Sequence, residues 1–217
     1  MKNLRISTLT GALAIMLLAA VNASAITVQE IGVNPFETPI VSITGIGTVC
    51  VYAGVNKLNV DGVATDGFCI DPFHWSLASS SSYSYEALAS GPKGAAMGST
   101  IALDVERLWG SYYSQALTSP TVAAGLQIAI WKLVGGSAVT VVSGNDYGAA
   151  GYINNVESLT YSGPVANLVA LTGPGQDYTV PAPIGNGGGV PDGGTTAILL
   201  GAALCGVAAM GRKLRST

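Results

Sequence analysis

Residues Ser99 to Gly136 read STIALDVERLWGSYYSQALTSPTVAAGLQIAIWKLVGG, and here the period of the chain changes. Ile101, Val105, Leu108, Trp109 and Tyr112 recur at the spacing of one helix face. Ser99 or Thr100 is the expected N-cap. Ser119-Pro120 breaks this helix, and Pro120 suits the first turn of the next. Val122, Leu126, Ile130 and Leu133 then form one apolar stripe, which Gly135-Gly136 ends. The residues on either side read differently, so this helical pair decides how the fold is classed.

Towards the N-terminus, Ile26 to Ile70 is strand-like. Ile40 to Ile43 and Thr48 to Tyr52 are β-branched runs bounded by glycines. Ala53-Gly54-Val55-Asn56 reads as a turn into Lys57 to Val60. Asp61-Gly62 and Asp66-Gly67 are further turn signals. Phe68 to Asp71 is a short strand ended by Pro72, and Ser76 to Ser84 is a serine-rich loop. Beyond the helical pair, Val139 to Val142 is a strand and Tyr147 to Leu159 a helix. Val165 to Leu171 and Tyr178 to Val180 flank Gly173-Pro174-Gly175 as a terminal hairpin. The order strands, helices, strands predicts a mainly β fold: an antiparallel β-sandwich or barrel carrying an inserted helical pair.

Both ends of the chain read as addressing segments. Residues 1–25 have the form of a signal peptide: Lys2 and Arg5, an apolar run, then Ala23-Ser24-Ala25 as a small-x-small site for signal peptidase, with Ala23 and Ala25 the small residues. Residues 181–189 (PAPIGNGGG) are a Pro/Gly linker. Val190-Pro191-Asp192-Gly193-Gly194 follows, then an uncharged run from 195 to 211, at the lower limit for a transmembrane helix. Arg212, Lys213 and Arg215 form a basic stop, which the positive-inside rule places in the cytoplasm. The extracytoplasmic domain is expected between 26 and 180.

Charge separates the domain from its ends. Between Ile26 and Val190 there are four cations (Lys57, Lys93, Arg107 and Lys132) against eleven carboxylates. An acidic domain has no electrostatic grip on nucleic acid. His74 is the one histidine, so no multi-histidine metal site can form. No Gly-x-Ser-x-Gly elbow exists either. The spacing of Asp61, Asp66 and Asp71 is not that of a calcium loop. No cofactor or metal is expected, and the chain is not expected to be an enzyme. Trp109 and Trp131 read as helix-packing residues.

Two readings of the cysteines stay open. Cys50 and Cys69 can pair as a disulfide in an oxidising compartment. Alternatively, Cys69 meets Gln127. That glutamine is flanked by apolar residues, and a buried amide needs a reason, because it costs several kcal/mol unless its hydrogen bonds are met. A thiolate aligned with a carboxamide carbon expels ammonia and closes an internal thioester. His74 and Asp71 are candidate supporting residues beside it.

The C-terminal end from 190 to 215 resembles the PEP-CTERM sorting signals of diderm bacteria, in the variant that opens Val-Pro-Asp. Gly193 stands where relatives often carry Ser. The resemblance implies an exosortase-type sorting peptidase as partner. It also implies transient anchoring at the inner membrane, then delivery to the cell surface, outer envelope or extracellular matrix.

A second resemblance rests on Val51-Tyr52-Ala53-Gly54, Phe68-Cys69-Ile70-Asp71, Arg107-Leu108-Trp109, Tyr112-Tyr113 and Gln127-Ile128-Ala129-Ile130-Trp131. These segments are similar to the Cys–Gln thioester domains of bacterial surface adhesins. In those domains the cysteine and glutamine matching Cys69 and Gln127 close the thioester. Here Leu126 stands where adhesin versions often have Thr. The resemblance implies adhesion or crosslinking by covalent capture of amine-bearing surface or matrix molecules. The competing expectation is a non-reactive envelope or matrix protein with a Cys50–Cys69 staple.

Overall fold

The computed structural model describes residues 25–183. The segment expected as a signal peptide (all but Ala25), the sorting tail with the run 195–211 expected as a transmembrane helix, and all but the first residues of the expected linker lie outside the described residues. Nine strands and three helices are present among them: β1 (Ile26–Glu37), β2 (Ile40–Ile43), β3 (Gly47–Cys50), β4 (Ala53–Val60), β5 (Val63–Cys69), β6 (Ser81–Ala87), α1 (Gly98–Ala116), α2 (Pro120–Gly135), β7 (Val139–Val141), α3 (Ala149–Val156), β8 (Leu168–Thr172) and β9 (Tyr178–Pro181).

Six strands close an antiparallel barrel in the order β1-β4-β5-β9-β8-β6, and β6 pairs back onto β1. Closure leaves no free edge in this sheet. The remaining strands form a small antiparallel sheet, β3-β2-β7. The expected class, mainly β and antiparallel with a helical insertion, is the observed one, and of sandwich and barrel it is the barrel. One turn is as read: Asp61 and Gly62 both take positive φ between Val60 and Val63, the signature of a tight two-residue hairpin.

Two other expected turns lie inside strands. Ala53 to Asn56 opens β4, and Asp66-Gly67 sits within β5. In both, glycine serves close approach rather than a bend. A Cβ on Gly54 would strike the backbone of Pro35 and Phe36, and one on Gly67 would press on Leu58 and the Thr179 carbonyl. Asp66 instead faces the helices, accepting from Lys57 Nζ at 2.7 Å and Tyr113 Oη at 3.0 Å. The serine-rich segment is loop only in its first half, because Ser81 onward is β6, with Tyr83 buried.

The helices also depart from the simple stripes. α1 starts at Gly98 with Met97 at the cap position and no side-chain cap, so Ser99 and Thr100 lie inside the first turn. α2 is capped as expected, with Ser119 Oγ accepting from the Val122 N–H and Pro120 at the first position. However, every residue from Ala123 to Trp131 is buried. A helix covered on all sides is central, not amphipathic. It packs on α1 and α3 and lies against β1, β4 and β5. Gly125 permits one of these approaches, since a Cβ there would strike the Tyr147 carbonyl.

Candidate functional site

The central helix carries Gln127 into the seam between helices and barrel, where β5 ends. Cys69 and Gln127, 58 positions apart in the chain, meet there. The Cys69 N–H donates to Gln127 Oε1 at 2.9 Å, and Gln127 Nε2 donates to the Cys69 carbonyl at 2.8 Å. The carboxamide thus pairs with one residue of β5 as a neighbouring strand would. Asn56 Nδ2 donates to the same Oε1 at 3.4 Å. Gln127 is fully buried, Cys69 is 1% exposed and Asn56 5%. Two donors converging on one carbonyl oxygen polarise it, and that geometry stabilises negative charge on the oxygen during acyl transfer.

The sulfur has its own surroundings. It accepts from the Asp71 N–H at 3.3 Å and its thiol faces the Asp71 carbonyl at 3.3 Å. Burial pushes the Cys69 thiol far up from its usual range. The Trp131 side chain and the Asp71 N–H pull it down, and the charges of Asp71 and Glu30 push it up again.

The turn after β5 places Asp71 and His74. Asp71 is buried, takes the Phe73 N–H on Oδ1 at 3.0 Å, and holds His74 Nδ1 on Oδ2 at 2.6 Å. The His74 side chain is 62% exposed, so its ring is fixed on one side and open to water on the other. Gln176 Nε2 ties this turn to the β8–β9 loop through the carbonyls of Asp71 and His74. Beside it, Asp177 takes the N–H groups of Lys93 and Gly173, and burial raises its pKa. A small cleft of about 110 Å³ opens over these groups, lined by Glu30, Asn56, Cys69, His74, Trp131 and Gln176 among others. A larger open hollow of about 480 Å³ lies by Lys132, Thr140 and Asp146 and contains none of the candidate residues.

Cys50 and Cys69 are not joined. Cys50 is exposed on β3 of the small sheet, with its thiol towards the Thr38 carbonyl at 3.8 Å, whereas Cys69 is sealed in the barrel wall. The staple is therefore corrected: the two thiols belong to different sheets and different environments.

Sequence reading missed two residues of the site. Asn56 was hidden inside a segment read as a turn. Trp131 was read as a helix-packing residue, with sugar stacking as the lesser alternative. It is 5% exposed, and its Nε1 is buried without a hydrogen-bond partner. A signal for Trp131 existed, because it follows Gln127 by four residues and so shares its helix face. No group of His, Cys, Asp and Glu side chains that could hold a metal occurs among the described residues, and no helix among them is long and apolar enough to cross a membrane.

No curated protein and no solved structure matches the chain. One family model, described as the VPDSG-CTERM motif, matches residues 189–214. That match supports a PEP-CTERM-type sorting signal at the C-terminus, of the kind associated with exosortase processing and membrane anchoring, and marks the chain as exported and surface-associated.

Proposed function

We propose that the barrel domain is a covalent adhesion or crosslinking module, in which Cys69 and Gln127 close an internal thioester that captures amine-bearing surface or matrix molecules. One observation carries this reading: the Gln127 carboxamide is held against Cys69 by two main-chain hydrogen bonds, with Asn56 as a further donor on its oxygen. In closure the Cys69 sulfur attacks the Gln127 carboxamide carbon. The C–N bond breaks, and the thiol proton leaves with the amide nitrogen as ammonia. An incoming amine later attacks the same carbon, and the sulfur departs and regains a proton. Asp71 orients His74, whose open ring nitrogen takes the proton from the attacking amine at the cleft mouth. The domain acts once per molecule, as a reagent rather than an enzyme.

The domain (26–180) stands off on the 181–189 linker after signal peptidase has removed residues 1–25. The sorting segment hands the chain to an exosortase-type peptidase at the inner membrane of a diderm bacterium, for delivery to the outer surface or matrix.

Intact mass tests the reading. Closure removes about 17 Da, and methylamine then adds about 31 Da at Gln127. A purified chain whose mass equals the uncyclised sequence, and which takes up no methylamine, overturns it. A second reading has its own support: the carboxamide oxygen and nitrogen are both already bonded, as in an inert bracket locking α2 to β5. That reading leaves an unreactive envelope protein, and the same measurement separates the two.

A further inference from the structure

We infer that the indole N–H of Trp131 is a donor reserved for the Cys69 sulfur when that sulfur carries charge. The inference rests on the acyl chemistry proposed above and adds to it the group that stabilises the leaving sulfur.

The first observation is an orphan. Trp131 Nε1 is buried and bonds to nothing in the resting arrangement. An unsatisfied buried donor costs about 1–3 kcal/mol, and packing alone does not call for an N–H at this position. The second is position. Trp131 sits one helical turn beyond Gln127 on α2 and lines the same cleft as Cys69. The third is the state of the sulfur. As a thiol it is a weak acceptor, and its lone pair is already engaged by the Asp71 N–H. As a thiolate it attracts N–H donors strongly, and the indole is the side-chain donor near enough to favour the charged form.

The chemistry then divides between two pairs of donors. When an amine attacks, the C–N bond forms and the oxygen of Gln127 takes up charge against the Cys69 and Asn56 N–H groups. When the C–S bond breaks, the electron pair goes to the sulfur, which meets the Asp71 N–H and the Trp131 indole. The proton lost by the amine finally returns to the sulfur. Trp109 provides the contrast. It is buried on α1 between Phe68 and Tyr113 and is not part of the lining of the cleft that holds Cys69 and Trp131.

The test uses the full chain, with Trp131→Phe and, at the same position, the benzothienyl isostere that keeps the bicyclic shape and lacks the N–H. Trp109→Phe is the packing control. Two quantities are read: the rate of opening by methylamine, and the pH dependence of Cys69 alkylation in methylamine-treated protein. Alkylation is scored on the Cys69 peptide so that Cys50 and the third cysteine of the chain, in the C-terminal tail, do not contribute. Both Trp131 replacements should slow opening about tenfold and raise the thiol titration by about one pH unit, while Trp109→Phe moves neither. If Trp131→Phe fails to fold, the isostere decides. A thiol titration unchanged in the isostere overturns the inference. If the parent shows no 17 Da loss, the thioester reading falls, yet the thiol is then free from the start and its titration still decides the role of Trp131.

Discussion

The two buried regions of the molecule are built to different rules. One fills the barrel, with Ile26, Val28, Leu58, Val60, Val169, Leu171 and Val180 packed together and Tyr83 and Tyr178 among them. Its two tyrosines turn their hydroxyls to polar partners, the Gln176 carbonyl and the Glu30 carboxylate. The other region is the seam between barrel and helices. It is larger and equally dry, with Phe68, Ile70, Leu108, Leu126, Ile128 and Ile130 fully buried. Yet it admits a carboxamide, an asparagine and a thiol at its centre. The barrel interior is what strand alternation alone produces, and it needs no further explanation. The seam carries polar groups that an apolar helix of the same shape would lack, and such groups persist in a fold when they are fully bonded or chemically used.

The sharpest way to break this contrast is Gln127→Ala. It leaves the Cys69 N–H and carbonyl buried and unpartnered, at about 1–3 kcal/mol for each group. It also removes the acyl carbon. The expected result is complete loss of the methylamine adduct by intact mass, with a large drop in the urea midpoint. An adduct that survived would place the reactive carbonyl elsewhere. Leu171→Ala probes the other region. It should cost about 2–5 kcal/mol by urea unfolding and leave the extent of adduct formation in the remaining folded protein unchanged. If barrel truncation abolished capture at temperatures where the protein is still folded, the two regions would not be separable as described. Asn56→Ala tests the seam more finely. Its bond to Gln127 Oε1 is long at 3.4 Å, so the expected slowing of methylamine opening is about tenfold, some 1.4 kcal/mol of transition-state stabilisation. An unchanged rate would reduce Asn56 to a structural neighbour.

The barrel was legible in the sequence where residues vary strictly with strand period. The Asp61-Gly62 hairpin and the terminal hairpin stand where the pattern places them, as does Ile40 to Ile43 in the small sheet beside the barrel. It was illegible where glycine does two jobs. Gly54 and Gly67 look like turn formers in a linear reading. Their actual reason is a neighbouring backbone that only the closed barrel brings near. The pairing of Cys69 with Gln127 was legible as chemistry, because a lone amide in an apolar helix invites a partner. Its other members were not. Asn56 lies on a strand two positions from Leu58, with nothing in the sequence to separate it from a solvent-facing amide. The stripe drawn through Val122 and Leu133 failed for a related reason. A helix apolar on every face has no stripe, and only its neighbours show which side matters.

The smallest expected effect returns to the barrel and concerns Tyr83. Its hydroxyl donates to the Gln176 carbonyl at 3.0 Å. Burial pushes its phenol up to about 12, with Asp177 and Glu30 adding to the shift. In the unfolded chain a tyrosine titrates near pH 10, at about its ordinary value. Between those limits the native state keeps a proton that the unfolded state has lost. Stability linked to this group is therefore complete below about pH 10 and is lost as pH rises towards 12. Tyr83→Phe removes one hydrogen bond, worth about 1 kcal/mol at neutral pH, and removes the proton as well. The stability gap between parent and variant, measured by urea unfolding, should therefore be widest near neutrality and narrow as pH climbs through that window. A gap that stayed constant would mean the phenol meets the same surroundings folded and unfolded. The barrel interior would then be wetter than its apolar lining implies, and the contrast with the seam would lose its basis. Tyr178, raised still further by burial and by Glu30, keeps its proton to higher pH, so the alkaline loss that remains in the variant is shared between it and the other groups that burial raises, Tyr113, Tyr85, Tyr152 and Cys69.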